Sequence, residues 1–257
     1  MKEYLCESFE EYVRIINENS PQFSLSRGQM EDKPLLPSVL RLDNSGMRLY
    51  SDSKANIFID DFKNNSLQYI GEQGVNLKNH YEWLVYAQHF GVPTRLLDFT
   101  YSHLISLMFA VEKAFGENVD DTDETNSVVW LLDPKKLNEY SIGYQDILNL
   151  SEDTEKLSSM KYPCAVTSRK INPRMIAQNG LFVLFNEDSM PLEKIDIAED
   201  ILRKILIPHK RIKRILASLY IMGMRFNDLY PELTSISKDI LLKNNVYEFY
   251  EMEEENE

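Results

Sequence analysis

The run from Glu82 to Ala110, EWLVYAQHFGVPTRLLDFTYSHLISLMFA, restricts the fold more than any other stretch of this chain. A helical pattern beginning near Lys78 stops at Phe90, because Gly91 and then Pro93 end it. Leu96 and Leu97 read as a short buried strand, and a second helix begins behind Thr100 or Ser102 and reaches about Phe115. Helix, strand and helix must therefore lie close together. Gln88, His89, Thr94, Arg95, Asp98, Thr100 and Ser102 carry hydrogen-bonding groups in among apolar neighbours, where each needs a partner. That density marks the stretch as the candidate site.

The rest of the chain supplies a frame for it. Leu5, Phe9, Val13 and Ile16 recur at helical spacing over residues 4–18, and Ser20-Pro21 ends that helix. Phe23 to Ser26 alternates as a strand does and runs into Arg27-Gly28-Gln29, where glycine permits a sharp bend or the close approach of a ligand. Ser38 is placed to cap a short turn through Arg41. Residues 48–70 read as a helix stopped by Gly71 and Gly74, with Ile57, Phe58, Phe62 and Tyr69 on one side. Strands are expected at Val128–Leu132, Ala165–Thr167, Leu181–Phe185 and Ile205–Ile207. Asp133-Pro134 and Asn172-Pro173 open short helices, residues 144–159 read as weakly helical, and Gly180 closes the helix after Asn172. Residues 212–220 form an amphipathic helix closed by Gly223, and Leu229, Leu233 and Ile236 continue a helical end. No repeat and no linker composition appears. The expectation is a single α+β domain with a small mixed sheet and flanking helices: a leading helix over 1–20, the main domain over 21–245 and a frayed acidic tail over 246–257.

Charge and composition exclude several classes. The net charge of −13 repels nucleic acid and anionic membrane unless a local basic patch intervenes. RKILIPHKRIKR at 203–214 is the one basic cluster, and helical spacing of its isoleucines and leucines reads as the solvated face of a core helix, the alternatives being contact with a phosphate backbone and self-association or regulator binding. Two cysteines are too few for a disulfide framework, and no zinc spacing exists. No apolar run approaches a membrane span, and the acidic N-terminus is no signal peptide, so a cytoplasmic location is expected. The loop ENVDDTDETN at 117–126 lacks the glycine and terminal glutamate of an EF-hand. No phosphate-binding, dinucleotide, metalloprotease, hydrolase or kinase motif is present.

Individual residues carry the remaining signals. Arg27, at a strand end beside Gly28, has the forked donors that clamp a phosphate or carboxylate, or that form a salt bridge. His89 near a helix C-terminus is expected to favour its cation, and His103 just inside a helix start to disfavour it. Arg95 and Asp98 stand three apart, so they face opposite sides of a strand and one of them is a structural ion-pair partner. Asp98, if buried, needs Arg27 or Arg95.

Several blocks together resemble the FRG domain family, which occurs in bacteria and their phages. Arg27-Gly28-Gln29 with Leu36-Pro37-Ser38 and Arg41 resembles its opening signature, and AQHFGVPTRLLDFT at 87–100, continued by Ser102 and Phe109-Ala110, resembles its central block. Asn172, Arg174, Gln178, Gly180 and Phe182 resemble a later block and Leu229–Leu233 the last, so the likeness spans roughly residues 20–235. Two positions depart: Ser26 stands where the family's name-giving aromatic precedes the arginine, and His103 where a proline is common.

A more distant resemblance is to the ADP-ribosyltransferase fold, with Arg27 on an early strand, Thr100 and Ser102 before a helix ending Phe109-Ala110, and Gln178 ahead of a late strand. It implies an NAD-using enzyme, transferase or glycohydrolase, of bacterial toxin or phage-defence type. NAD would be a substrate, with no permanently bound cofactor and no metal. Arg27 and Gln178 would be catalytic, and Gly28, Gln88, His89, Arg95, Asp98, Thr100 and Ser102 would hold the nucleotide. It also leaves a gap, since Gln178 is no acid and Glu187 lies beyond the strand. The alternative is a non-catalytic ligand- or protein-binding module in which the same residues form a buried polar network. Neither a protein partner nor a nucleic-acid target is specified.

Overall fold

A computed structural model describes residues 1–72, 76–116, 125–170 and 173–255. In chain order the elements are β1 (Lys2–Leu5), α1 (Phe9–Asn19), β2 (Leu25–Gln29), α2 (Asp52–Glu72), α3 (His80–His89), β3 (Leu96–Thr100), α4 (His103–Val111) and β4 (Ser127–Leu132). There follow α5 (Pro134–Ile142), β5 (Leu148–Asn149), α6 (Thr154–Ser158), β6 (Cys164–Thr167), α7 (Pro173–Ala177), β7 (Gly180–Leu184), α8 (Ala198–Ile201), β8 (Leu202–Ile207), α9 (Ile212–Ile221), α10 (Phe226–Leu229) and α11 (Leu233–Glu254).

The strands form one eight-stranded mixed sheet in the order β1-β8-β4-β2-β3-β7-β6-β5, with flanking helices, so the fold is α+β. Only the two outermost pairs, β1 with β8 and β5 with β6, are parallel. Helix starts follow the local sequence. Ser8, Asn79, Ser102 and Asp133 each accept a hydrogen bond from a backbone N–H of the first turn they precede.

Strand alternation divides the core. On one face, Val129, Leu131, Ile205 and Ile207 pack under α1, α4, α9 and α11, with Tyr12, Met108, Leu216 and Val246. On the other, Leu25, Leu97, Phe99, Val128, Trp130, Leu132, Leu181 and Val183 pack against α5, α8 and the Leu35–Leu40 segment. A third cluster joins Leu96, Cys164, Val166, Phe182 and Leu184 to Ile59 of α2 and to Leu84, Val85 and Ala87 of α3. Since Leu96 and Thr100 share a face of β3, and Thr100 lies opposite Ser26 of β2, α3 and α4 cover the same face. The β2–β3 junction lies between them.

Several expectations need correction. The N-terminal segment is not helical from residue 4. β1 comes first, and Leu5 is exposed rather than on the helix's apolar face. Residues 144–159 are not one weak helix but β5 and the short α6. Ile57 and Tyr69 are exposed, and Ile59 and Ile70 are the buried residues of α2. Gly180 opens β7 instead of closing a helix. The acidic tail is helical through Glu254, held in part by Arg214 Nη1 donating to Glu253 at 2.7 Å. The basic segment is a strand followed by a helix, and its charges meet partners. Lys204 pairs with Asp32 at 2.6 Å, Arg211 with Glu7 at 3.7 Å, and the Arg203 guanidinium lies 4.3 Å over the Phe23 ring. Gly74, most of the loop at 117–126, and Asn172 lie outside the described residues. Among the described residues no helix is long and apolar enough to cross a membrane.

Candidate functional site

The site begins with a sheet that is not fully zipped. β2 pairs with β4 along its whole length, Leu25 opposite Leu132 through Gln29 opposite Val128. β3 pairs likewise with β7, Leu96 opposite Leu184 through Thr100 opposite Gly180. Between β2 and β3 the ladder has a single pair, Ser26 opposite Thr100. Beyond it the strands part, and a backbone carbonyl that lost its ladder donor needs another. Arg27 supplies it: Nη1 donates to the Asp98 carbonyl at 2.9 Å and stands 3.9 Å from Asp98 Oδ2. Burial pulls the Arg27 guanidinium below its ordinary pKa, against which the Asp98 carboxylate acts.

A cleft of about 510 Å³ opens at this split. Its walls are β2 with the segment after it, the C-terminal end of α3, β3, one side of α4, and α7 with the start of β7. Gln88 crosses it. Its Nε2 donates to Asp98 Oδ1 at 2.8 Å, while its Oε1 accepts from the Thr94 hydroxyl. Thr94 is anchored in turn, its N–H donating to Ser38 Oγ at 3.2 Å. Thr100 closes the floor. Its hydroxyl donates to the Gln178 carbonyl at 2.7 Å and accepts from the Ser102 N–H at 2.9 Å. The Gln178 side chain donates to the Leu229 carbonyl at 3.2 Å.

The charge of this cleft runs against that of the chain. Arg27, Lys33, Arg41 and Arg174 line it, against Glu31, Asp98 and Glu112, whereas the whole sequence has 28 basic and 41 acidic residues. Phe99, Phe109 and Phe182 supply apolar surface. His89 also lines the cleft, and here the expectation of a favoured cation fails: burial, and then the nearby Arg174, lower its pKa. His103 is lowered as well, by burial.

On the face of β2 toward α4 there is no space at all. A Cβ on Gly28 would lie 1.8 Å from the Ser106 carbonyl oxygen and 2.9 Å from the Ala110 nitrogen. The glycine is thus required by helix-on-strand contact rather than by a bend or a ligand. Two residues back, on the same face, buried Ser26 accepts from the Ser106 hydroxyl at 2.8 Å and meets His103 Nδ1 at 2.8 Å. Ser26 and His103 are the two departures from the pattern noted above, and they touch each other. Polar replaces apolar at both, so each supplies the hydrogen bond that burial of the other requires.

The candidate residues therefore separate. Arg27, Gly28, Gln88, His89, Asp98, Thr100 and Gln178 share the cleft. Arg95 does not. It precedes β3 and points away, toward Glu187 at 3.4 Å, in a second cavity of about 630 Å³ that Tyr81, Tyr140 and Tyr162 also line. Arg95 is thereby the structural ion-pair partner expected of one member of the Arg95/Asp98 pair. Ser102 caps α4, its Oγ accepting from Ile105 N–H at 3.4 Å, and is not among the residues lining the cleft. Lys33, Arg41, Glu112 and Arg174 line the cleft without having been singled out for it. Arg41 and Arg174 sit inside the quoted blocks, whereas nothing in the local sequence distinguishes Glu112.

Residues 24–118 match the family model of the FRG domain. The likeness to the FRG domain is confined to that segment. No curated protein and no solved structure matches the chain. The matched segment supplies β2, α2, α3, β3 and α4. The opposite wall of the cleft, Arg174, Gln178 and Phe182, comes from beyond it.

Proposed function

We propose that the cleft binds an anionic nucleotide, with NAD the ligand, and that the protein is an ADP-ribosyltransferase-like enzyme that breaks the nicotinamide–ribose bond. The observation that carries the reading is the convergence of Arg27, Lys33, Arg41 and Arg174 on one cleft of a strongly acidic chain. Cations gathered against the net charge favour a ligand bearing phosphates. Aromatic faces beside them suit a base or a nicotinamide ring.

One observation favours the second reading, a binding module without catalysis. The hydrogen bonds of Arg27, Gln88, Thr94 and Asp98 close on one another, as those of a structural network do. Calorimetry with NAD, paired with an assay of nicotinamide release from labelled NAD, decides between them. Binding with release supports the enzyme, and binding without release supports the module. Absence of binding overturns NAD as the ligand. Arg41→Ala, which removes an exposed side chain from the cleft rim, is expected to weaken NAD binding about tenfold with no change in melting temperature.

A further inference from the structure

We infer that Glu112 is the general base of this cleft, supplying the carboxylate that Gln178 cannot. The inference rests on the NAD reading above and adds a residue and a role to it. Among the described residues three carboxylates line the cleft. Glu31 is exposed and paired with Lys33 at 2.8 Å. Asp98 is bound by Gln88 and Arg27. Glu112 differs from both. It is half-buried and accepts one neutral hydrogen bond, from the Tyr230 hydroxyl at 3.2 Å. No cation lies in ion-pair contact with it among the described residues.

Its position is also unfavourable for a mere surface charge. Glu112 occupies the C-terminal cap of α4, where the helix dipole opposes a carboxylate. Burial raises its pKa above the usual carboxylate range, with the Tyr230 hydrogen bond and the fields of Lys238, Lys113 and Arg174 acting the other way. A desolvated acid in a cleft, held by one neutral donor, is arranged for proton transfer. Tyr230 is itself fixed for this. Its ring packs edge-on to Phe109, with centroids 6.0 Å apart, and the Arg174 guanidinium lies 4.6 Å over its face.

The step is a hydrolysis. As the C–N bond between ribose and nicotinamide breaks, its electron pair stays on the nicotinamide nitrogen, which leaves neutral. A water oxygen bonds to the ribosyl carbon, and its proton passes to the Glu112 carboxylate, which later returns it to solvent. An acceptor hydroxyl would take the place of water in a transfer.

The test compares wild type, Glu112→Gln and Tyr230→Phe by NAD calorimetry and by nicotinamide release across pH. Glu112→Gln is expected to bind NAD within threefold of wild type and to release nicotinamide at least about 100-fold more slowly, the loss typical of a removed general base. Wild-type release should rise with pH through the Glu112 ionisation, since the carboxylate is the active form. Tyr230→Phe keeps the acid but loses the bond that favours its ionised form, so this rising limb should move to higher pH, a shift that a purely structural role would not produce. Glu112→Gln that binds and releases within threefold of wild type overturns the assignment while leaving the NAD reading intact. So does an unmoved limb in Tyr230→Phe. A wild type that binds no NAD overturns the NAD reading, and with it this one.

Discussion

The two sides of β2 meet their neighbours in opposite ways. Toward α4, Ser26 and Gly28 are at backbone contact, with Ser106, His103 and Ala110 against them. Toward β3, one residue along, the ladder has ended and a guanidinium stands where a strand would be. The contrast shows how a sheet can hold a cleft at its centre without an irregular loop. The contact through Gly28 fixes where α4 runs, and Arg27 satisfies the carbonyl that the parting strands expose. One strand thus closes the molecule with its smallest residue and keeps it open with one of its largest.

The sharpest way to break this contrast is Gly28→Ala. The added methyl meets helix backbone, which no rotamer change relieves, so a loss of at least about 3 kcal/mol is expected, read as a collapse of the urea midpoint or as insoluble protein. An unchanged midpoint would show that α4 can slide. Arg27→Ala attacks the other side. It leaves the Asp98 carbonyl without its donor, and about 2–3 kcal/mol should be lost. Arg27→Lys should recover part of this, because a single ammonium reaches one acceptor without the fork. Full recovery in Arg27→Lys would mean that the guanidinium geometry is irrelevant.

Ser26→Ala should cost about 1–2 kcal/mol by stranding the Ser106 hydroxyl and His103 Nδ1 in the closed side. The same trio predicts a pH effect. His103 is pulled below its ordinary value of 6.5 in the folded protein, so the unfolded chain binds the proton first. Its contribution is present above about pH 6.5 and is lost as pH falls below that value. Chemical denaturation between pH 7.5 and 5.5 should show a shallower decline for His103→Gln than for wild type. Parallel curves would remove His103 from the account. Smallest of all should be Arg95→Ala. It breaks a half-exposed pair outside the cleft, worth about 0–1 kcal/mol, and should leave NAD calorimetry untouched. A large loss of binding would move the site to the second cavity.

Much of this architecture was legible because its signals are local. Val128–Leu132 and Leu181–Phe185 are continuous apolar runs, and both are central strands. Asp133-Pro134 and Gly91 carry their cap chemistry in the sequence itself, and Ser102, one of two residues expected to cap α4, does so. β1 was hidden because Leu5 and Phe9 fall at helical spacing by coincidence. Its real determinant is pairing with β8, two hundred residues away. The acidic tail reads as a frayed chain end, yet Leu242 and Val246 anchor its helix in the core. At the site, Arg27, Gln88, Asp98, Thr100 and Gln178 could be listed from their blocks. That Arg95 turns away from them depends on Glu187, and the environment of Glu112 depends on Tyr230. Both partners lie far along the chain, and no window of sequence contains the pair.

The single bridge between Ser26 and Thr100 bears on what the matched segment is. Residues 24–118 hold β2 and β3, but the long ladders of these strands run to β4 and β7, which lie outside the match. A fragment cut at those bounds would contain two strands joined at one point, each with a bare edge of unpaired amides, and such edges recruit other chains. The recognisable signature is therefore a seam where two halves of a sheet are sewn together. The piece that can be inherited, expressed or transplanted must include the cloth on both sides of it.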